Sequence, residues 1–350
     1  MRSRSGLISA AGIALSCIAL TGSAQEADPG KWLPDPIPSI QYPVQNIDLS
    51  SWQKNKGITK AELPDEALDD PILRGAIDIH AHYGPDVYDR QWDAFEIAKR
   101  AQAHGLRAIV LKSHFSQSAT IAAMAQQYAT PGLQVFGGIA LNAAVGGINP
   151  DAVRHFAEVS GNRARVVWFP THDSVNEVDT LGQSRPAVRV TAGGALLPSV
   201  YAVLDIIAEK DLTLATGHVT ADEMLEIVRA AHSRKIARII VTHPGLGPQY
   251  TNPSLDQARQ AVAMGAYLEV VTNELLRDRS RSSVLEMIRT IGPAHIIVAS
   301  DSGLRGTRTH TDALVTSARL LRKEGFSEQD LDLMFRKNPA RALGLPALSD

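Results

Sequence analysis

The sequence predicts an α/β protein folded as a (β/α)8 TIM barrel, and three observations support this. From about residue 75 onward, short β-branched runs alternate with helical patterns of ten or more residues, which is typical of β/α units around a parallel sheet. Eight such units fall within about 250 residues, the usual size of this barrel. Several of the strand-like runs end in histidine or aspartate, and the carboxyl ends of the strands form the functional rim of such a barrel.

The predicted strands and helices alternate regularly along the chain. Strands are expected at residues 76–80, 107–112, 133–139, 164–169, 212–217, 237–242, 266–271 and 295–300. Helices are expected at residues 91–104, 117–127, 150–160, 198–210, 220–234, 254–264, 281–291 and 310–324. An open doubly wound sheet is the structural alternative, but no G-x-G-x-x-G follows the first strand to favour a nucleotide crevice.

The first residues are typical of an export signal. Met1-Arg-Ser-Arg-Ser precedes an apolar stretch from Gly6 to Leu20 and the small residues Gly22-Ser-Ala24, so residues 1–24 are interpreted as a signal peptide cleaved after Ala24. The stretch is shorter than the ~20 residues of a membrane span, although an uncleaved anchor is an alternative. We therefore expect a periplasmic or secreted protein whose mature chain is not stably inserted in a membrane.

Cys17 is the only cysteine of the chain, and it lies inside the predicted signal. The mature protein would then have no disulfide and no cysteine metal ligand, which suits an oxidising compartment. A lipoprotein anchor at Cys17 is a weaker alternative, because the large aliphatic residue expected three positions earlier is Ala14.

The rest of the chain divides into an arm and a barrel. Residues 25–70 contain six prolines and little periodicity, so we expect an extended Pro-rich arm that lies on the surface or caps the bottom of the fold. Residues 71–350 form the predicted barrel domain. Its long loop after the fourth strand, from Thr171 to Leu197, contains a predicted short hairpin with Gly193-Gly194 near its turn and is expected to shape a substrate pocket.

Composition excludes several classes of function. The chain has 350 residues, of which 44% are hydrophobic and 21% charged, as in an ordinary globular protein with a sizeable core. Its net charge of -2 provides no basic field, so nucleic acid and anionic membranes are not expected partners. We expect a small-molecule substrate instead. The G-x-S-x-G nucleophile elbow and the phosphate-binding G-x-x-x-x-G-K-[ST] loop are both missing from the sequence. Assembly into a homo-oligomer is left open.

Histidines and one aspartate end four of the predicted strands. His80 and His82 follow the first strand, and their i, i+2 spacing directs both side chains to the same side. His218, His243 and Asp301 end three later strands. Because all of these strand ends meet at one rim, the five residues are candidate metal ligands or acid/base groups, whereas structural histidines would be scattered among helices and loops.

This set of residues resembles the amidohydrolase superfamily, whose pattern is H-x-H after strand 1, histidines after strands 5 and 6, and aspartate after strand 8. The tail Asn338-Pro-Ala-Arg-Ala-Leu-Gly-Leu345 is similar to the superfamily's closing N-A-x-R-L-x-G-L helix, with Pro339 as a departure. A little-characterised branch of amidohydrolase-related proteins is closer still, through Val110-Leu-Lys-Ser-His114, Leu214-Ala-Thr-Gly-His218 and Val241-Thr-His-Pro244. The likeness covers about residues 75–345.

The resemblance implies a divalent transition metal, as one or two ions, with zinc as the first expectation and manganese or iron as alternatives. The implied ligands are His80, His82, His218, His243 and Asp301. Such a metal lowers the pKa of a coordinated water toward ~7. Asp301 is also the implied catalytic acid/base, and His243 is either a ligand or a catalytic donor to the scissile carbonyl. The structural alternatives are a helix N-cap for Asp301 and simple packing for His243.

Five further residues are candidates for metal bridging or substrate binding: Lys112, His114, His172, Glu269 and Arg305. Many members of the superfamily carry a carboxylated lysine on strand 4, but this chain has none there. Lys112 could take its place as a bridging carbamate, bind a substrate anion or form a buried ion pair. Glu269 either faces the barrel lumen with a cationic partner or marks an error in the strand assignment.

The other three candidates lie in loops at the predicted rim. His114 and His172 end strands 2 and 4 and are expected either to approach the pocket or to be ordinary loop histidines. Arg305 lies in the loop after Asp301 and is a candidate for binding a carboxylate or phosphate. His310 follows the same loop and could reach the site through it, but we expect it to be solvated.

The predicted function is that of a metal-dependent hydrolase that attacks an amide, lactone, ester or phosphoester of a small molecule. A non-oxidative decarboxylase of the same superfamily and a catalytically silent ligand-binding barrel are the alternatives. Carbon dioxide release without incorporation of water would indicate the decarboxylase, whereas the intact ligand set argues against the silent barrel. The sequence does not specify the substrate, because specificity depends on loop conformations.

Overall fold

The computed structural model describes residues 69–129 and 132–347, all within one compact unit that spans Asn46–Asp350. The predicted signal peptide, Cys17 and almost all of the predicted Pro-rich arm lie outside the described residues. Among the helices that are described, none has the length and hydropathy needed to cross a membrane.

The described residues contain a barrel of eight parallel strands and a separate two-stranded hairpin. The barrel strands are β1 (Ile77–His82), β2 (Ala108–Lys112), β3 (Gln134–Ala140), β4 (Ala164–Trp168), β7 (Thr213–Ala215), β8 (Ile239–Val241), β9 (Ala266–Val271) and β10 (Ile296–Ala299), and the hairpin strands are β5 (Thr191–Ala192) and β6 (Ala195–Leu196). Neighbours in the barrel follow this order from β1 to β10. The predicted (β/α)8 barrel is confirmed, and its strands begin and end within a few residues of the predicted positions.

The barrel closes at the carboxyl ends of β1 and β10. The backbone N–H of His82 donates to the carbonyl of Ser302 over 3.0 Å, and the N–H of Asp301 donates to the carbonyl of His80 over 3.1 Å. The register between β1 and β2 shifts between Asp78 and Ala81, and irregularities of this kind re-aim side chains at barrel rims. The closing seam therefore brings both histidines of the H-x-H motif next to Asp301.

Helices surround the barrel. They are α1 (Ala94–Ala103), α2 (Ala119–Met124), α3 (Pro150–Ala157), α4 (Val175–Thr180), α5 (Pro198–Glu209), α6 (Ala221–Ser233), α7 (Leu255–Ala263), α8 (Thr272–Leu276), α9 (Asp278–Ile291), α10 (His310–Lys323), α11 (Glu328–Asp332) and α12 (Asn338–Ala342). Local sequence fixes their starts: Thr220 with Glu223, and Ser254 with Gln257, form capping boxes at α6 and α7. In α12, the Asn338 amide donates to the carbonyls of Pro293 and Ile296, which ties the chain's closing helix to the start of β10.

The loop after β4 contains the predicted hairpin. Gly193 and Gly194 have φ values of +58° and +80°, the left-handed conformation that two-residue hairpin turns require. The same loop contains the short helix α4, which the sequence pattern did not predict. This helix carries Glu177, a 7% exposed carboxylate at the rim of the barrel.

Candidate metal centre and active site

Two histidines and one aspartate converge at the closing seam of the barrel. His80 Nε2 lies 3.1 Å from Asp301 Oδ1, and His82 Nε2 lies 3.2 Å from the same oxygen. One ligand atom from each of the three residues lies within 4.8 Å of the other two. Their side chains are largely buried, with Asp301 the most exposed at 19%. The three residues can therefore hold a metal ion together.

The far side of each imidazole ring is anchored. His80 Nδ1 lies 2.9 Å from Glu269 Oε1, and His82 Nδ1 lies 3.1 Å from the carbonyl of Lys112. Histidine ligands commonly donate Nδ1–H to a carboxylate or carbonyl in this way, which leaves the Nε2 lone pair for the metal. The rings of His80 and His82 are thus oriented as metal ligands require, so the donor set fits a divalent ion.

Glu269 faces the barrel lumen. The strand predicted at residues 266–271 is present in the structure as β9. Besides its contact with His80, Glu269 accepts a hydrogen bond from the backbone N–H of His243 over 3.3 Å. Burial and Lys112 lower the pKa of His80, but Asp301 and Glu269 outweigh them, so the pKa of His80 is raised overall. Glu269 therefore links the strand that carries His80 to the loop that carries His243.

Lys112 lies directly against the candidate metal centre. Its Nζ is 2.8 Å from His80 Nε2 and 5.1 Å from the ring centroid of Trp168. Burial lowers the pKa of Lys112 to about 8, against the opposing charges of Asp301 and Glu269. In this arrangement the lysine competes with a metal for the lone pair of His80 Nε2.

His218 and His243 form a second pair beside the first three residues. Their Nε2 atoms face each other at 3.1 Å, and the rings of His80 and His243 stack at 5.8 Å. His218 Nδ1 lies 2.5 Å from Glu177 Oε2, whereas His243 Nδ1 has no hydrogen-bond partner within the described part of the chain. Two ring nitrogens that face each other so closely can also converge on a cation.

Backbone strain is present at two of these five residues. His243 has a φ of +23° and Asp301 a φ of +47°, whereas non-glycine residues rarely adopt positive φ values. Each residue lies two positions after the end of a barrel strand, β8 for His243 and β10 for Asp301. Strained conformations of this kind persist where the surrounding structure fixes a side chain for a functional reason.

The three remaining predicted residues, His114, His172 and Arg305, differ in how closely they approach the histidine cluster. The ring of His114 lies 4.9 Å from that of His82, and His114 Nδ1 lies 2.8 Å from Thr171 Oγ1. His172 Nδ1 lies 3.2 Å from Glu177 Oε1. Arg305 instead forms an ion pair with Asp89 and its side chain is 62% exposed, so the structure does not bring it into the histidine cluster.

Sequence reasoning missed three residues of this site. Glu177 bridges His172 and His218, and although burial raises its pKa, these two histidines lower it to about 2. Arg90, which pairs with Asp86, also places Nη2 3.2 Å from His82 Nδ1. Because arginine can only donate, this contact competes with the Lys112 carbonyl for His82 Nδ1. The ring of Tyr250 lies edge-on to the ring of His218 at 4.8 Å. Only the S-x-x-E pattern before Glu177 was visible in the sequence, and it indicates a helix cap.

His310 is not solvated as we expected. It is 4% exposed, and its Nε2 lies 3.0 Å from the carbonyl oxygen of His82. Burial lowers the pKa of His310 to about 4. The reason for the difference is that α10 begins at His310 and packs its first turn against the end of β1, which a linear pattern does not show.

Comparison with known proteins assigns the chain to a family. Residues 75–269 match the family described as Family of unknown function (DUF6282). The chain belongs to this family. The matched residues include the H-x-H motif, Lys112, His218, His243 and Glu269.

The expected likeness to the amidohydrolase superfamily is confirmed at the level of the fold. The Organophosphorus Hydrolase from Deinococcus radiodurans has a TM-score of 0.53 at 16% identity, over 77% of this chain and 92% of that chain. An amidohydrolase from Burkholderia multivorans with bound zinc has a TM-score of 0.50 at 14% identity, over 77% of this chain and 99% of that chain.

A curated relative matches part of the sequence. The phosphotriesterase homology protein of Escherichia coli (strain K12) is 29% identical over 131 residues, which cover 34% of this chain and 42% of that protein. The match therefore spans less than half of the relative's length.

Proposed function

We propose that this protein is a metal-dependent hydrolase of the amidohydrolase type that cleaves an amide, lactone, ester or phosphoester bond of a small molecule. The observation that carries the proposal is the convergence of His80 Nε2 and His82 Nε2 on Asp301 Oδ1, at 3.1 and 3.2 Å, with both Nδ1 atoms anchored. The likeness to a phosphotriesterase homology protein and an organophosphorus hydrolase supports it. On the sequence pattern, we propose that the mature chain acts in the periplasm or outside the cell.

His80, His82 and Asp301 would hold the metal, and His218 and His243 would complete its coordination or hold a second ion. We propose zinc first, with manganese or iron as alternatives, because neutral imidazoles and one carboxylate suit all three. The zinc bound by the Burkholderia multivorans amidohydrolase supports this choice. When bound, a divalent metal lowers the pKa of a coordinated water and thereby supplies a nucleophile near neutral pH.

The protein's own residues would transfer protons, polarise the bond that is broken and orient the metal ligands. Asp301 contacts both histidines through Oδ1, and we propose that its carboxylate accepts the proton of the attacking water and passes it to the leaving group. His243 faces the same space from the other side and would polarise the bond that is broken, or serve as a ligand. Glu177 would hold His218 in one orientation through the 2.5 Å contact at Nδ1.

Metal removal and restoration test this proposal. Protein that starts at Gln25 and has never met a chelator should contain about one or two equivalents of a transition metal per chain, as expected for a site of this ligand set. Dipicolinate treatment should abolish turnover in screens of lactones, esters, amides and phosphoesters, and restoring the metal should recover it. Elemental analysis and initial rates are the measurements.

Labelled water separates the outcomes. Transfer of ¹⁸O from water into the product supports hydrolysis, whereas carbon dioxide release without ¹⁸O incorporation would replace it with decarboxylation. A purified chain that holds no metal, even after zinc, manganese and iron are each offered at neutral pH, contradicts the proposal.

Glu177→Gln tests the orientation of His218. Because glutamine keeps the shape of the side chain but loses the charge that holds His218 Nδ1–H, we expect about a 10–100-fold loss in metal affinity or kcat/KM. Chelator competition and steady-state kinetics measure the two quantities. Asp179→Asn, an exposed carboxylate two positions along the same helix, is the matched control and should change neither. Equal results for the two variants would show that Glu177 does not position His218.

A further inference from the structure

Arg277 is a buried cation that lacks an ionic partner among the described residues. It is 6% exposed, and its Nε has no hydrogen-bond partner. Its guanidinium makes one long hydrogen bond, from Nη1 to the carbonyl of Leu246 over 3.5 Å. Because burying a charge is costly unless it is paired, an anion that binds this guanidinium would stabilise it.

The acceptors closest in sequence do not pair with the Arg277 guanidinium. Glu274 lies three residues before Arg277, but the two form no ion pair: its Oε2 accepts from the backbone N–H of Val271 over 3.0 Å, and its Oε1 has no hydrogen-bond partner among the described residues. Burial raises the pKa of Glu274 well above its usual range, which favours the neutral acid. The carbonyls of Leu275 and Leu276, at the end of α8, accept instead from the guanidinium of Arg281. The helix end therefore satisfies Arg281 and leaves Arg277 without an anionic partner.

Arg277 contacts the loop that follows His243, through its hydrogen bond to the carbonyl of Leu246. Its contact residue Leu246 lies three positions after His243. The ring of Tyr250, in the same loop, lies 4.8 Å from the rings of both His218 and His243. Burial and Arg279 lower the pKa of Arg277, whereas Tyr250, Asp301 and Glu274 act in the opposite direction. The guanidinium thus lies against the loop whose Tyr250 contacts His218 and His243.

We propose that Arg277 binds a carboxylate carried by the substrate, so that this enzyme acts on small carboxylic acids in which the hydrolysed bond lies apart from that carboxylate. The proposal rests on the hydrolase function proposed above. The planar fork of arginine donates two parallel hydrogen bonds to a carboxylate, which a lysine cannot reproduce. Arg305, the cation that the sequence suggested for this task, already pairs with Asp89 at the exposed rim.

Two matched esters test the proposal in the metal-loaded enzyme. Mono-(4-nitrophenyl) glutarate carries a free carboxylate, and 4-nitrophenyl pentanoate has the same chain length without a charge. We expect the wild type to prefer the glutarate ester. Arg277→Met should lower kcat/KM for that ester by about 30–100-fold, the usual effect of losing a buried charged hydrogen bond, and change kcat/KM for the pentanoate ester by less than about 3-fold.

Two further variants control for folding and for charge in general. Arg279→Met removes a cation at an exposed position two residues away, in the first turn of α9, and should leave both esters unaffected. Arg277→Lys keeps the charge without the fork and should recover part of the preference for the glutarate ester. A wild type without that preference, or an Arg277→Met variant that loses both activities equally, would overturn the proposal.

Direct binding separates this inference from the proposed function. Calorimetric titration with glutarate should show binding to the wild-type protein and to Arg279→Met, and at least about 10-fold weaker binding to Arg277→Met, because only the last lacks the fork. If no metal-dependent turnover of any substrate is found, the hydrolase proposal fails, while the titration still tests the carboxylate site. Equal glutarate affinity in the wild type and Arg277→Met, or no binding to the wild type, refutes the site.

Discussion

Asp301→Asn is expected to lower kcat by about 10²–10⁴-fold, the usual contribution of a general acid/base, while the barrel stays folded. Asparagine has the size and shape of aspartate, and its Oδ1 can occupy the same position beside the Nε2 atoms of His80 and His82. Asparagine is also one of the few residues that tolerate the positive φ of +47° found at this position. The substitution therefore removes the charge and the proton acceptor without adding backbone strain. Steady-state kinetics with saturating metal, together with circular dichroism, are the measurements.

Asp211→Asn is the matched control for this substitution. Asp211 also has a positive φ, of +50°, and also lies in an ion pair, with Arg238 at 2.6 Å. It precedes β7 and so lies at the opposite end of the barrel from the candidate metal centre. We expect Asp211→Asn to keep near-normal kcat. If Asp301→Asn also kept near-normal kcat with metal present, its proposed role as acid/base would be wrong.

The fold was predictable because its signals are local. In β9, for example, the apolar run around Glu269 coincides with the predicted strand, Ala266–Val271, and the capping pairs of α6 and α7 fix helix starts within four residues of sequence. The short helices α4 and α8 were not predicted, since each has only five or six residues and too few turns to show a period. Whether a segment forms a helix or a strand could therefore be predicted wherever the segment was long enough to show a full hydrophobic period.

Residues at strand ends could be placed at the site from the sequence, but residues that reach the site from loops and short helices could not. His80 lies near the carboxyl end of β1, and His218 and His243 follow β7 and β8, so parallel topology alone brings them to one rim. Glu177 and Tyr250 enter from connections whose path depends on tertiary packing. The ion pair of each cation could not be predicted either. Arg305 and Arg277 look alike in sequence, yet Arg305 pairs with Asp89, whereas Arg277 is buried and forms no ion pair with a described residue.

The replacement of both His80 and His82 by alanine should reduce the metal content to below about 0.1 equivalents per chain, since one ligand of the three-residue cluster, Asp301, then remains. Metal analysis after gel filtration is the measurement, and thermal unfolding checks that the chain is folded. His82→Gln, a smaller change at the less enclosed of the two rings, should show weakened binding even if the double variant unfolds. As a control, the exposed helical histidines His155 and His232 can be replaced together by alanine, with no loss of metal. Because His218 and His243 face each other at 3.1 Å, retention of one full equivalent in the double variant would move the primary metal site to that pair and would contradict the ligand assignment proposed here.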